Sequence, residues 1–171
     1  MPMQTHDLIQ GTPEWLAHRA NRDNSSDAAA MLGVSPLKKR SELLQERATG
    51  IPMPVDEFQQ RLYDEGHRTE ALARPLAEKI LGEDLYPVCG TNGALAASFD
   101  GITMLESIAF EHKMLNNQLR EVMVAGCTGA DLPEFYQVQM EQQCMVSEET
   151  ERVLFMASEW TQAGPRCHGR T

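Results

Sequence analysis

A change of hydrophobic rhythm at Gly82 constrains this chain more than any other feature. Before it, apolar residues return every three to four positions, as helices that bury one face require. After it, short alternating runs are separated by Gly and Asn turn signals, as strands require. The first part predicts helices over about 13–22, 28–32, 41–49 and 58–81. Thr12-Pro13-Glu14 supplies an N-cap followed by proline at the first helical position, and Ser25 or Ser26 caps the second helix. Gly33 and Gly50 stop the second and third. In the fourth, Leu62, Leu72, Leu76 and Ile80 fall on helical faces, with a bend expected near Pro75. Trp15 is expected in the core, and Ile51-Pro52-Met53-Pro54 reads as a stiff connector. The later part predicts strands at 85–89, 94–99 and 108–113, a helix at 116–124, a loop at 126–133, a helix at 134–145 and a last strand at 152–157. This order implies an α/β domain with a central mixed sheet flanked by helices. A length of 171 residues with 42% hydrophobic content is enough for a real core.

Within the strand-rich part, Ser98-Phe99-Asp100-Gly101 and Phe110-Glu111-His112-Lys113 stand out. The residues between Asp100 and Glu111 are enough to turn through an Asp-Gly corner and return along a neighbouring strand, bringing the two carboxylates together. Strand alternation points Glu111 and Lys113 to one face and His112 to the other. Two oxygen-rich ligands suit a hard cation such as Mg2+. Such a cation activates a bound water and neutralises charge on a phosphate, and a lysine beside it can orient or deprotonate that water or steady an oxyanion. The pattern therefore points to metal-dependent phosphodiester hydrolysis, with a charged surface hairpin as the plain alternative.

Other functional classes are excluded by what the sequence lacks. No run approaches the roughly 18 consecutive apolar residues of a membrane span, and the N-terminus has no basic segment followed by an apolar stretch, so a cytoplasmic location is expected. Cys89, Cys127, Cys144 and Cys167 lie far apart and suggest neither a zinc site nor a disulfide framework. The histidines His6, His18, His67, His112 and His168 show no ligand spacing, and no nucleophile elbow is present. With 25 acidic against 15 basic residues the net charge is −10, unlike a generic DNA-binding domain. Binding to DNA would therefore depend on local basic groups, for which Arg19, Arg22, Lys38, Lys39, Arg40, Arg68 and Arg74 are candidates.

Four blocks carry a family resemblance. They are Gly11-Thr12-Pro13-Glu14-Trp15-Leu16 with Arg19 and Ser25-Ser26-Asp27; Gly66-His67-Arg68-Thr69-Glu70; the Asp100 and Glu111-His112-Lys113 pair; and Tyr136-Gln137-Val138-Gln139. In this order they resemble the YqaJ-type viral recombinases, the phage lambda exonuclease family of the PD-(D/E)XK nuclease superfamily, over roughly residues 8–158. The resemblance implies a restriction-endonuclease-like fold and hydrolysis of double-stranded DNA from an end, 5′ to 3′, with Mg2+ or Mn2+. Single strands for recombination would be the product. It implies metal ligation by Asp100, Glu111, the His112 backbone carbonyl and Glu70, with Glu65 as the second choice on that helix. Lys113 would serve the attacking water, and Gln139, ahead of Gln137, would contact water or the scissile phosphate. Arg19 and Ser26 would bind a terminal 5′-phosphate, with simple capping the other role open to Ser26. A homotrimer around DNA and a single-strand annealing partner are implied as well.

Two departures qualify the match. Asp23-Asn24 stands where apolar and threonine residues are usual, and the polar end Pro165–Thr171 matches nothing in the family, which ordinarily continues into further helices. The expected layout is a nuclease domain over 1–158 and an atypical tail over 159–171. Endonuclease action at the same site, or DNA binding without activity, are the competing functions.

Overall fold

A computed structural model describes residues 2–161 and 164–170, by backbone alone from 161 onward. In chain order the elements are β1 (Gln4–His6), α1 (Pro13–Ala20), β2 (Asp23–Asn24), α2 (Ser25–Leu32), α3 (Arg40–Thr49) and α4 (Glu57–Leu81). These are followed by β3 (Tyr86–Asn92), β4 (Leu95–Ile102), β5 (Ile108–Met114), α5 (Asn117–Val122), α6 (Glu134–Val146), β6 (Arg152–Thr161) and β7 (Gly164–Arg170). The architecture is mixed α/β, as expected. No helix among the described residues is long and apolar enough to cross a membrane.

The residues form two compact units. The first comprises Met1–Pro54, Val88–Phe99 and Pro133–Glu149; the second comprises Val55–Pro87, Asp100–Leu132 and Thr150–Thr171. In the first, β1 lies antiparallel to β3 with Thr5 opposite Gly90, and β2 runs parallel to β4 with Asn24 opposite Ala96. Ala28, Ala29 and Ala30 are buried on α2. Their small side chains let α2 pack closely against α6 and α3. Gly33 ends α2 in the left-handed conformation at φ 78°, as its sequence position suggested.

The second unit builds its sheet in the order β4-β5-β6-β7. β4 and β5 are antiparallel, with Gly101 opposite Phe110. β5 and β6 are parallel, from Ile108 opposite Arg152 to Met114 opposite Ser158. Helix α4 covers β5 and β6, so that Ala73 and Ala77 meet Phe110, Leu154, Met156 and Leu85 in a core with no exposed side chain. Asp56 caps α4 by accepting from Gln59 N, and the helix continues through Pro75 without a break in its span.

Several boundaries differ from expectation. The Asp-Gly pair makes no corner, because Gly101 lies inside β4; the reversal is made by 103–107, where Glu106 adopts φ 58°. A Cβ at Gly101 would sit 2.9 Å from Leu85 Cβ, so glycine is needed there for close packing and not for a turn. β6 runs four residues past Ala157, and 164–170 pairs back on it with Phe155 opposite Arg170. β1 and β2 were not anticipated, since three and two residues are too short to show a period.

Candidate active site

Strands β4 and β5 carry Asp100 and Glu111 on neighbouring positions of the sheet, the juxtaposition expected from their spacing. Asp100 is near the end of β4, and one of its carboxylate oxygens accepts the backbone N–H of His112 at 2.8 Å. Glu111, on β5, is 2% exposed and pairs with Lys113 Nζ, two residues along on the same face. This is the geometry that strand alternation predicts for acid and amine. Lys113 keeps about a quarter of its side chain open to solvent.

Glu70 enters from α4. Its carboxylate takes Nη2 of Arg74 at 2.5 Å, one helical turn on, and lies 3.8 Å from His67 Nδ1. The Nε of the same arginine donates to the carbonyl of Asp100 at 2.8 Å. Arg74 thus ties the helix acid to the strand acid. The sequence placed Arg74 one helical turn on from Glu70 and in a basic lining; its bond to the Asp100 carbonyl leaves no signal in that spacing. Glu65, the second choice, is instead held at the exposed surface by Arg68 at 2.6 Å.

Charge accumulates here with little water to dissipate it. Burial, then repulsion from Glu111 and Glu70, pushes the Asp100 carboxyl well above the usual range against the pull of Lys113 and the His112 N–H. Burial is also the main cause of the raised Glu70 pKa, with Glu111 adding to it and Arg74 and His67 opposing. These hard oxygen donors, crowded and destabilised as anions, fit a divalent cation in charge and chemistry. Among the described residues, however, no three carboxylate, imidazole or thiol side chains are gathered as a ready cage. Glu111 and Glu70 are turned to Lys113 and Arg74, which supply positive charge in its place.

His112 sends its ring away from Glu111, on the side of Phe110, whose ring centroid is 6.4 Å distant. Burial, with a smaller effect of Lys113, pushes its pKa down to about 4, so the ring is neutral near pH 7. Nε2 lies 2.7 Å from Ser158 Oγ. Neither Ser158 nor Trp160, which donates to the same oxygen at 2.9 Å, was singled out from sequence.

The first unit carries the residues expected at a 5′-phosphate. Arg19 on α1 donates to Ser26 Oγ at 2.9 Å, stacks over Trp15 at 4.6 Å and approaches Asp27 at 3.7 Å. Ser26 is therefore engaged by Arg19, while Asn24 stands at the N-cap position without a side-chain cap bond. The Asn24 side chain instead donates to the carbonyls of Arg19 and Arg22 at 3.0 and 3.1 Å, fixing the bend between α1 and α2. Trp15 is half-buried, not core, and its indole N–H reaches Ser98 Oγ at 3.0 Å. Lys38 is neutralised by Glu46 at 2.7 Å. On α6, Gln137 and Gln139 are half-buried, and Gln142 donates to the Asp23 carbonyl at 2.6 Å.

Comparison with known proteins extends this description. The YqaJ-like viral recombinase domain matches residues 14–150. Among solved structures, an alkaline exonuclease from Laribacter hongkongensis is similar with TM-score 0.62 and 20% identity, over 94% of this chain and 83% of that one. A structure of that exonuclease in complex with dAMP gives TM-score 0.63 and 20% identity, over 93% and 82% of the two chains. At these identities the likeness shows a shared fold. No curated protein matches the chain.

Proposed function

The chain belongs to the YqaJ-like viral recombinase domain family, and from that premise we propose that it is a metal-dependent exonuclease acting on double-stranded DNA from an end, 5′ to 3′. Its product would be single strands for recombination, made in the cytoplasm. The observation that carries this reading is the group formed by Asp100, Glu111, Glu70 and Lys113: acids crowded together from three elements, β4, β5 and α4, with one partly exposed amine beside them. A fold shared with an alkaline exonuclease whose structure holds dAMP supports a nucleic-acid substrate.

In this reading Asp100, Glu111, Glu70 and the His112 carbonyl would hold Mg2+ or Mn2+. When bound, the cation supplies an acidified water and charge neutralisation at the phosphate. The chain's own residues do the rest. The His112 N–H holds the Asp100 carboxylate, and Arg74 holds both Glu70 and the Asp100 peptide. Lys113 Nζ, close to Glu111, orients the attacking water and steadies the developing oxyanion as a compact cation, or deprotonates that water as the neutral amine. Gln139 contributes a hydrogen bond to water or the scissile phosphate. Arg19 and Ser26 take the terminal 5′-phosphate, an assignment supported by their mutual 2.9 Å contact. A homotrimer around DNA and a single-strand annealing protein complete the proposal at the level of partners.

The test is digestion of a 5′-phosphorylated linear duplex and of the same duplex closed into a circle, with Mg2+ or EDTA, by the natural chain, Lys113→Ala and Asp100→Ala. Loss of the linear form alone, requiring Mg2+ and both residues, is expected. Cutting of the circle would make the protein an endonuclease. A folded chain that cuts neither substrate would be a binding-only relative.

A further inference from the structure

His112 occupies the position between the acid and the amine of the site, yet its side chain does something a hydrophobic residue could not. On β5 the neighbours on its face are apolar: Phe110 lies two residues before it and Met114 two after. Packing alone would favour another apolar residue there, because a buried polar ring costs free energy unless its nitrogens are satisfied. Instead Nε2 reaches along β6 to Ser158 Oγ at 2.7 Å, with His112 5% and Ser158 1% exposed. Ser158 is not the register partner of His112, which is Met156, so the ring reaches two residues further along the neighbouring strand. The indole N–H of Trp160 meets the same oxygen at 2.9 Å, and the Ser158 carbonyl accepts Leu115 N at 3.0 Å. On the other edge of β5 the His112 peptide N–H holds Asp100 on β4. One residue thus links three strands, and its backbone link ends on the catalytic carboxylate.

The chemistry fixes the direction of one end of this chain. An indole N–H can only donate, so Ser158 Oγ accepts from Trp160 and has a single hydroxyl proton to give. We propose that Trp160, Ser158 and His112 form a donor chain in which Ser158 donates to Nε2 of a ring protonated on Nδ1, and that this chain positions the peptide between Glu111 and Lys113. Ser158 and Trp160 are then positioning residues, acting on Asp100, Glu111 and Lys113 through His112. Removal of the chain frees the His112 peptide to rotate about the strand axis, which shifts Asp100 relative to Glu111. The inference rests on the nuclease reading for its kinetic consequence, and on geometry alone for its spectroscopic one.

The experiment compares the natural chain with Ser158→Ala, Ser158→Thr and Trp160→Phe. Outer-shell partners of metal-site residues change affinity or activity by about tenfold or more. Ser158→Ala is therefore expected to lower kcat on linear duplex by about that factor with KM little changed, and to weaken Mn2+ binding measured by electron paramagnetic resonance. Ser158→Thr, which keeps the hydroxyl, is expected to restore both, and Trp160→Phe, which keeps an aromatic ring, to show a smaller loss in the same direction. Long-range 15N–1H spectra should show the Nδ1-protonated tautomer of His112 in the natural chain and its loss in Ser158→Ala. Unchanged kcat and Mn2+ affinity in folded Ser158→Ala, or an Nε2-protonated His112 in the natural chain, overturns the proposal. If the natural chain cuts no DNA the nuclease reading fails, and the tautomer and Mn2+ arms still decide the positioning role. If Ser158→Ala does not fold, Trp160→Phe decides it by the same measurements.

Discussion

At the scale of single residues, Gly101 is closely confined. A Cβ at this position would meet Leu85 Cβ at 2.9 Å and two Phe110 side-chain atoms at 3.5 Å. Leu85 Cβ is fixed to its own backbone, so no rotamer change can relieve the contact, and the strand must move. Gly101→Ala is expected to destabilise the fold by about 1–3 kcal/mol, the usual cost of overpacking a core. Because Asp100 adjoins Gly101, cleavage under conditions where the variant is folded should fall further than the stability loss explains. Urea denaturation and initial rates measure the two effects, and a variant as stable as the natural chain would show that β4 yields without cost. The pairing of Arg74 with Glu70 and with the Asp100 carbonyl belongs to the same scale. It neutralises one acid and aligns another.

At the scale of elements, the β4–β5 hairpin sets the spacing of Asp100 and Glu111, and its turn is held from several sides. Thr103 N donates to Ile108 O at 3.0 Å and Thr103 Oγ1 accepts Ile108 N at 3.1 Å, while Glu106 N donates to Thr103 O at 2.9 Å. Thr150 Oγ1 donates to the Glu106 carbonyl at 2.8 Å, fastening the turn to the start of β6. Glu106 bears the strain, with φ 58° in the left-handed region. Thr103→Val leaves the Ile108 N–H without its side-chain acceptor and should cost about 1–3 kcal/mol. Glu106→Gly should cost far less or stabilise, and equal losses in thermal melts of the two variants would contradict this account of the turn. Sequence reasoning located the two strands and the residues on each face, because alternation is a local property. It placed the turn wrongly because Asp-Gly is a common turn signal, whereas the need for glycine here arises from Leu85, sixteen positions away in sequence. α4 was legible almost to its ends, since its apolar spacing and the change of pattern at Gly82 are local signals. Ser158 and Trp160 were not, because their function depends on β6 lying parallel to β5, a contact that leaves no trace in the spacing of either strand.

At the scale of the whole molecule, a net charge of −10 must be reconciled with the polyanionic substrate proposed. Many cations that could attract DNA are already answered by acids: Lys38 by Glu46, Arg47 by Asp27, Arg68 by Glu65 and Arg120 by Glu159. At long range the protein repels a duplex, and monovalent salt screens that repulsion over a Debye length of about 10 Å at 0.1 M. At short range, salt competes with whatever phosphate contacts form. The two effects oppose each other, so the dependence of DNA affinity on monovalent salt should be shallower than for a basic DNA-binding protein with as many contacts. A divalent cation at the proposed site would act differently, because it would neutralise charge where Asp100, Glu111 and Glu70 concentrate it. In Lys113→Ala, where cleavage is expected to be silent, Mg2+ should raise affinity for a 5′-phosphorylated duplex well beyond what NaCl of equal ionic strength achieves. Fluorescence anisotropy in EDTA, NaCl and MgCl2 measures this directly. Tight binding in EDTA with a steep salt slope would mean that an extended basic surface grips the DNA, and the acid cluster would then be relieved of any part in substrate affinity.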